Sequence, residues 1–124
     1  MKRARVLIVE DEADLAWLEQ FNLETEGYEV RVAPEGRAAI DELQGFSPDV
    51  VVLDLMLPHV DGWAVLEHTK ELPDDRRPKV ILVSALAGVW DVRKAESLGV
   101  GSFLAKPFEM VDLVRLVSEA LAAA

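Results

Sequence analysis

The sequence predicts an α/β domain: a doubly wound, five-stranded parallel sheet in the order 2-1-3-4-5 with helices on both faces. Three observations predict it. Short apolar runs alternate with helix-length amphipathic stretches, five of each. Most of the runs are continuous and β-branched, as expected for parallel strands covered on both faces. Helix-length segments between the runs give each connection room for a right-handed crossover.

The first strand is expected at Val6-Leu7-Ile8-Val9. A helix comes next over Asp14 to Glu26, with Leu15, Leu18 and Phe21-Asn22-Leu23 near helical spacing and Gly27 as its stop. Tyr28 to Val32 alternates, which suits an edge strand with one face partly wet. Gly36 to Gln44 is a shorter helix that turns Ala39, Ile40 and Leu43 inward. Val50 to Leu53 is the third strand. Trp63 to Leu72 is a helix closed by Pro73. Pro73 to Pro78 is a polar loop. Val80 to Val83 is the fourth strand, Val89 to Leu98 a helix ending at Gly99, and Phe103 to Ala105 the fifth strand. Met110 to Leu121 closes the chain, with Val111, Val114, Val117, Ala120 and Leu121 on one face, and the alanines from Ala122 are expected to fray.

The 124 residues fit one compact domain, read as residues 1–124, with no repeat or interdomain linker. Hydrophobic residues make up 51% and charged residues 29%, a globular balance. A net charge of −10 argues against direct binding to nucleic acid or to anionic membranes and favours cations or basic partner surfaces. With no cysteine, disulfides, thiolate catalysis and thiolate-bound metals are excluded, which suits a reducing cytoplasm. No run approaches the ~20 apolar residues of a membrane span. His59 and His68 read as surface residues, because no second imidazole is spaced for a metal.

The residues at the end of each apolar run carry the chemistry. The first strand ends in Glu10-Asp11, the third in Asp54, the fourth in Ser84 and the fifth in Lys106-Pro107. In open α/β sheets, ligands bind beyond the carboxyl ends of the strands where the order reverses. Glu10, Asp11 and Asp54 are therefore expected in one crevice, with Ser84 and Lys106 on its far side. Three gathered carboxylates repel, and a hard cation such as Mg²⁺ relieves that repulsion through oxygen ligands. With Lys106 it would neutralise an incoming phosphoryl group, and the Ser84 hydroxyl would hydrogen-bond one of its oxygens. Asp54, between the metal side and the Ser/Lys side, is the best candidate nucleophile for an acyl phosphate.

The set Glu10-Asp11-Glu12, Val52-Leu53-Asp54-Leu55-Met56-Leu57-Pro58 with Asp61-Gly62, Val83-Ser84-Ala85 and Phe103-Leu104-Ala105-Lys106-Pro107-Phe108 resembles the receiver domain of bacterial two-component response regulators. The resemblance spans essentially the whole chain. It implies the flavodoxin-like receiver fold, with Asp54 as phosphoacceptor for a histidine kinase phosphohistidine. It further implies Asp11 as a direct Mg²⁺ (or Mn²⁺) ligand, Glu10 as a ligand through water, and the Met56 carbonyl as a third contact. Ser84 and Lys106 would bind the phosphoryl oxygens. Ser84 and Phe103 would be the switch pair that remodels the face built from the fourth helix, fifth strand and fifth helix, with Trp90 near its edge. Partners implied are a sensor histidine kinase or phosphotransfer protein and an output domain or downstream protein. The implied role is a signalling phosphoacceptor rather than an enzyme with turnover.

Three features depart from the family pattern. The first acid is Glu10 rather than Asp, a frequent variant that still permits a water-mediated contact. Phe103 lacks the hydroxyl of the commoner tyrosine, so packing must govern its movement. Gly101-Ser102 stand where winged-helix regulators carry acids of a dimer interface, which puts that dimer in doubt. Three rivals compete. An aspartyl phosphatase of the haloacid-dehalogenase kind would place a second Asp where Met56 stands. A nucleotide or flavin module would need a phosphate cradle where the acidic Glu10-Asp11-Glu12-Ala13-Asp14 loop lies. A phosphorylation-independent interaction domain is the alternative within the same fold.

Overall fold

The computed structural model describes residues 2–57, 62–85 and 89–123, and only the backbone of residues 89–92. Five strands, β1 (Arg5–Val9), β2 (Glu29–Ala33), β3 (Val50–Asp54), β4 (Lys79–Ser84) and β5 (Ser102–Ala105), alternate with five helices. These are α1 (Ala13–Thr25), α2 (Gly36–Gly45), α3 (Gly62–Glu71), α4 (Val89–Ser97) and α5 (Met110–Ala122). The sheet is parallel throughout in the order β2-β1-β3-β4-β5, as expected. The polar loop before β4 holds one short 3-10 turn, Asp74–Arg76, that periodicity does not announce.

Strand side chains alternate between faces, and each face buries its own layer. Leu7, Val9, Val51, Leu53 and Leu82 pack with Ala39 and Leu43 of α2, Val65 and Leu66 of α3 and Ala95 of α4. Val6, Ile8, Val50, Val52, Ile81 and Val83 pack with Leu23 of α1 and Leu113 and Val117 of α5. All five residues of β3 are buried, which is why its run shows no polar alternation. β2, at the edge, leaves Arg31 exposed.

Local chemistry fixes the helix ends. Gly27 ends α1 at φ +96°, a left-handed conformation that glycine adopts without a Cβ clash. Glu35 caps α2, its carboxylate accepting from the N–H groups of Ala38 at 2.7 Å and Arg37 at 3.2 Å. α5 continues through Ala122, one residue into the alanine tail expected to fray.

Two helix faces differ from the sequence reading. In α1 the buried residues are Ala16, Glu19 and Leu23, whereas Leu18 and Phe21 are exposed. In α5 the expected Val114, Val117, Ala120 and Leu121 do pack on the core, but Leu113 is buried with them and Val111 is 72% exposed. Apolar residues on both sides of each helix left the inward face open, and contact with α1's and α5's neighbours in the sheet layer decided it.

Candidate acidic phosphoacceptor pocket

The carboxyl ends of β1 and β3 lie side by side because those strands are paired, Val9 against Leu53. The next residue on each chain projects a carboxylate: Glu10 and Asp54, both almost wholly buried. Asp11 is exposed beside them, and the three groups bring oxygens within 4.8 Å of one another. The start of α3 helps to hold Asp54 in place. The Gly62 N–H donates to the Leu55 carbonyl at 3.1 Å, which draws that helix onto the end of β3. A Cβ on Gly62 would lie 2.5 Å from the Leu55 Cα and 2.6 Å from the Asp54 carbonyl oxygen, so glycine permits this approach.

Lys106 comes from the other side of the sheet. Its N–H donates to the Ser84 carbonyl at 3.1 Å, extending the β4–β5 ladder, and the Lys106-Pro107 bond is cis. Its ammonium donates to Glu10 Oε1 and to Asp54 Oδ2, both at 2.8 Å. The Glu12 N–H donates to Glu10 Oε2 at 3.1 Å and the Met56 N–H to Asp54 Oδ1 at 2.9 Å. Every oxygen of the two buried carboxylates therefore has a donor.

The charges do not balance within the pocket. Three carboxylates against one ammonium leave a formal excess of two negative charges. Burial raises the pKa of Glu10, and the Lys106 hydrogen bond only partly offsets it. Burial works against the Lys106 ammonium, yet its hydrogen bonds to Asp54 and Glu10 outweigh that and hold its pKa above the ordinary lysine value. An all-oxygen donor set with this residual charge fits a hard divalent cation.

The geometry brings Glu10, Asp11, Asp54 and Lys106 together. Ser84 is buried at the end of β4, one residue beyond the Val83 that pairs with Asp54. Met56 stands next to the pocket through its N–H, with its side chain exposed. Phe103 is half-buried against the α2–α3–α4 layer, paired with Leu82. Pro58, His59, Asp61 and the side chain of Trp90 lie outside the described residues, and His68 is exposed. Side-chain reasoning missed the two backbone donors, of Glu12 and Met56, which residue type does not encode. It also missed Glu19, 1% exposed in α1. Its spacing of three from Ala16 and four from Leu23 was the available signal.

A profile of the response regulator receiver domain matches residues 6–118. The chain belongs to the receiver-domain family. This receiver domain is 37% identical over 110 residues to the transcriptional regulatory protein TrcR of Mycobacterium tuberculosis, covering 89% of the chain and 42% of TrcR. It is 33% identical over 114 residues to a 14.6 kDa protein encoded 3′ of sodA1 in Leptolyngbya boryana, covering 92% and 87%. The receiver thus spans under half of one relative and most of the other. Among solved structures, the non-phosphorylated HemR receiver domain of Leptospira biflexa superposes with a TM-score of 0.90 at 26% identity, covering 98% of this chain and 97% of that one. A CheY-like receiver domain protein of Methanospirillum hungatei JF-1 gives 0.88 at 26% identity, covering 97% and 94%. The receiver's acidic pocket, Glu10, Asp11 and Asp54, fits the phosphoacceptor site of such domains.

Proposed function

We propose that this receiver accepts a phosphoryl group on Asp54 from the phosphohistidine of a histidine kinase or phosphotransfer protein, with Mg²⁺ or Mn²⁺ held by Glu10, Asp11, Asp54 and the Met56 carbonyl. The observation that carries it is the Lys106 ammonium on Asp54 and Glu10 at 2.8 Å, beside an oxygen cluster with unbalanced negative charge. The cation would supply charge neutralisation at the phosphoryl oxygens.

An Asp54 carboxylate oxygen attacks phosphorus, and an O–P bond forms as the P–N bond to imidazole breaks. The electron pair leaves on the imidazole nitrogen, which takes a proton from water. Lys106, with its pKa held above the usual value, acts as a fixed cation and not as a proton donor. The Met56 N–H keeps the Asp54 carboxylate oriented. The Ser84 hydroxyl binds a phosphoryl oxygen, and Phe103 repacks with it to alter the α4–β5–α5 face. The chain would serve as a signalling phosphoacceptor of the cytoplasm, passing the signal to an output domain or downstream protein.

Acetyl phosphate with Mg²⁺, followed by intact mass measurement, tests this. One labile phosphoryl adduct is expected, lost in Asp54→Asn and without Mg²⁺. No adduct on the native chain would instead support a phosphorylation-independent interaction domain, and an adduct persisting in Asp54→Asn would place the nucleophile elsewhere.

A further inference from the structure

Glu19 is the one fully buried charged-type side chain that the phosphoacceptor chemistry does not use, among the described residues. It sits in the middle of α1 on the stripe with Ala16 and Leu23, where a helix turned to a core normally places apolar groups. Neither of its oxygens has a hydrogen-bond partner among the described residues. A carboxylate in that setting is far costlier than the neutral acid. Burial first, then the negative charges of Glu10 and Asp54, push its pKa up to about 8 against the opposing pull of Lys106.

The elements packed on α1 are β1, β2 and α5, and among the described residues none of them offers it a cation. Their side chains in this layer are apolar: Val6, Ile8, Val30, Leu113 and Val117. Of their charged groups, Arg5 pairs with Glu29, and Arg31 with Glu42. On α5, Asp112 and Glu119 both pair with Arg115 at the exposed surface. Tyr28 packs against the same layer, and on α1 itself Asp14 and Glu24 are exposed. The charges that act on Glu19 lie at the pocket edge: Glu10, Lys106 and Asp54.

We propose that Glu19 makes the seating of α1 depend on a proton: the helix packs on β1, β2 and α5 while the buried carboxyl is neutral, and loosens when that proton passes to solvent. The outward face of α1 does not resist such loosening, because its apolar groups, Trp17, Leu18 and Phe21, already lie in water. The loosening reaches the pocket through a short path. The Ala16 N–H donates to the Glu12 carbonyl at 2.9 Å, and the Glu12 N–H donates to Glu10. A shift at the start of α1 therefore moves the donor that holds one Glu10 oxygen, and Asp11 beside it. This device requires no phosphoryl transfer, so it stands or falls apart from the reading of Asp54.

Amide hydrogen exchange of the whole chain at about pH 6 and about pH 9, corrected for intrinsic exchange, tests it. Relative to β3, protection across α1 should fall about 10- to 100-fold between the two conditions. In Glu19→Gln the differential fall should vanish; if that variant does not fold, Glu19→Leu serves in its place. A ¹³C titration of the Glu19 carboxyl should place its midpoint near neutrality or above. Protection of α1 relative to β3 that is the same at both pH values, an unchanged fall in the variants, or a midpoint in the ordinary glutamate range would each overturn the proposal.

Discussion

A lysine that donates to two buried carboxylates at once is more than a surface charge. The Lys106 side chain is 20% exposed and its partners 3% and 5%, so its removal leaves Glu10 and Asp54 facing each other without a cation. Lys106→Met should destabilise the fold by about 2–4 kcal/mol at pH 8, read from urea unfolding. The loss should shrink at pH 4, where protonation of Glu10, whose pKa burial already raises, relieves the repulsion. Glu19 carries the opposite sign. Its folded pKa of about 8 lies above the ordinary carboxyl value of 4.5. Below the unfolded pKa both states hold the proton and nothing is lost. As pH rises toward 8 the unfolded state ionises first, and stability falls until the folded state ionises too. Glu19→Leu should therefore raise the urea midpoint little at pH 4 and by the equivalent of about 2–5 kcal/mol at pH 8. A gain equal at both pH values would mean that packing, not charge, is responsible.

At the scale of the element, legibility depended on how strongly one force dominated. The strands were legible because burial on both faces leaves Val, Ile and Leu without polar interruption, as in the run ending at Asp54. The pocket was legible because those runs end in carboxylates and a lysine, and the switch in strand order gathers them. The face of α1 was not, because Trp17, Leu18 and Phe21 compete with Ala16 and Leu23 for the same core and a carboxyl sits between them. Outside, Trp17 and Phe21 stack on each other at 5.5 Å, which recovers some contact that the core does not supply. The Glu35 cap was also unread, since glutamate is not a usual capping residue. Glu35→Ala should cost about 0.5–2 kcal/mol in thermal or chemical melts. Gly62→Ala should cost about 1–3 kcal/mol, since the new methyl meets backbone atoms of β3 that cannot swing away. It should also slow labelling of Asp54 by acetyl phosphate, because relief of the clash moves the residue that bears the carboxylate.

For the molecule as a whole, charge sets the response to cations. The chain carries −10 overall, and its pocket keeps a formal excess of two negative charges after Lys106 is counted. A divalent ion that binds only the folded state should stabilise it by about 1.4 kcal/mol at ten times its dissociation constant. That corresponds to a rise of about 3–6 °C in Tm by differential scanning calorimetry. Asp11→Asn should abolish most of the rise, and sodium chloride of equal ionic strength should not reproduce it. A rise that survives Asp11→Asn would point to diffuse screening of the surface charge instead of the pocket.

The double hydrogen bond of Lys106 also has a mechanical side. β5 is an edge strand and pairs with β4 through four residues on each strand. The Lys106 ammonium reaches past β4 to groups at the ends of β3 and β1, so one side chain stitches the rim to the centre of the sheet. Whatever draws that ammonium toward a new anion loosens the stitch on Glu10 and Asp54. The margin of the sheet would then register the event as a change in how firmly its last strand is tied.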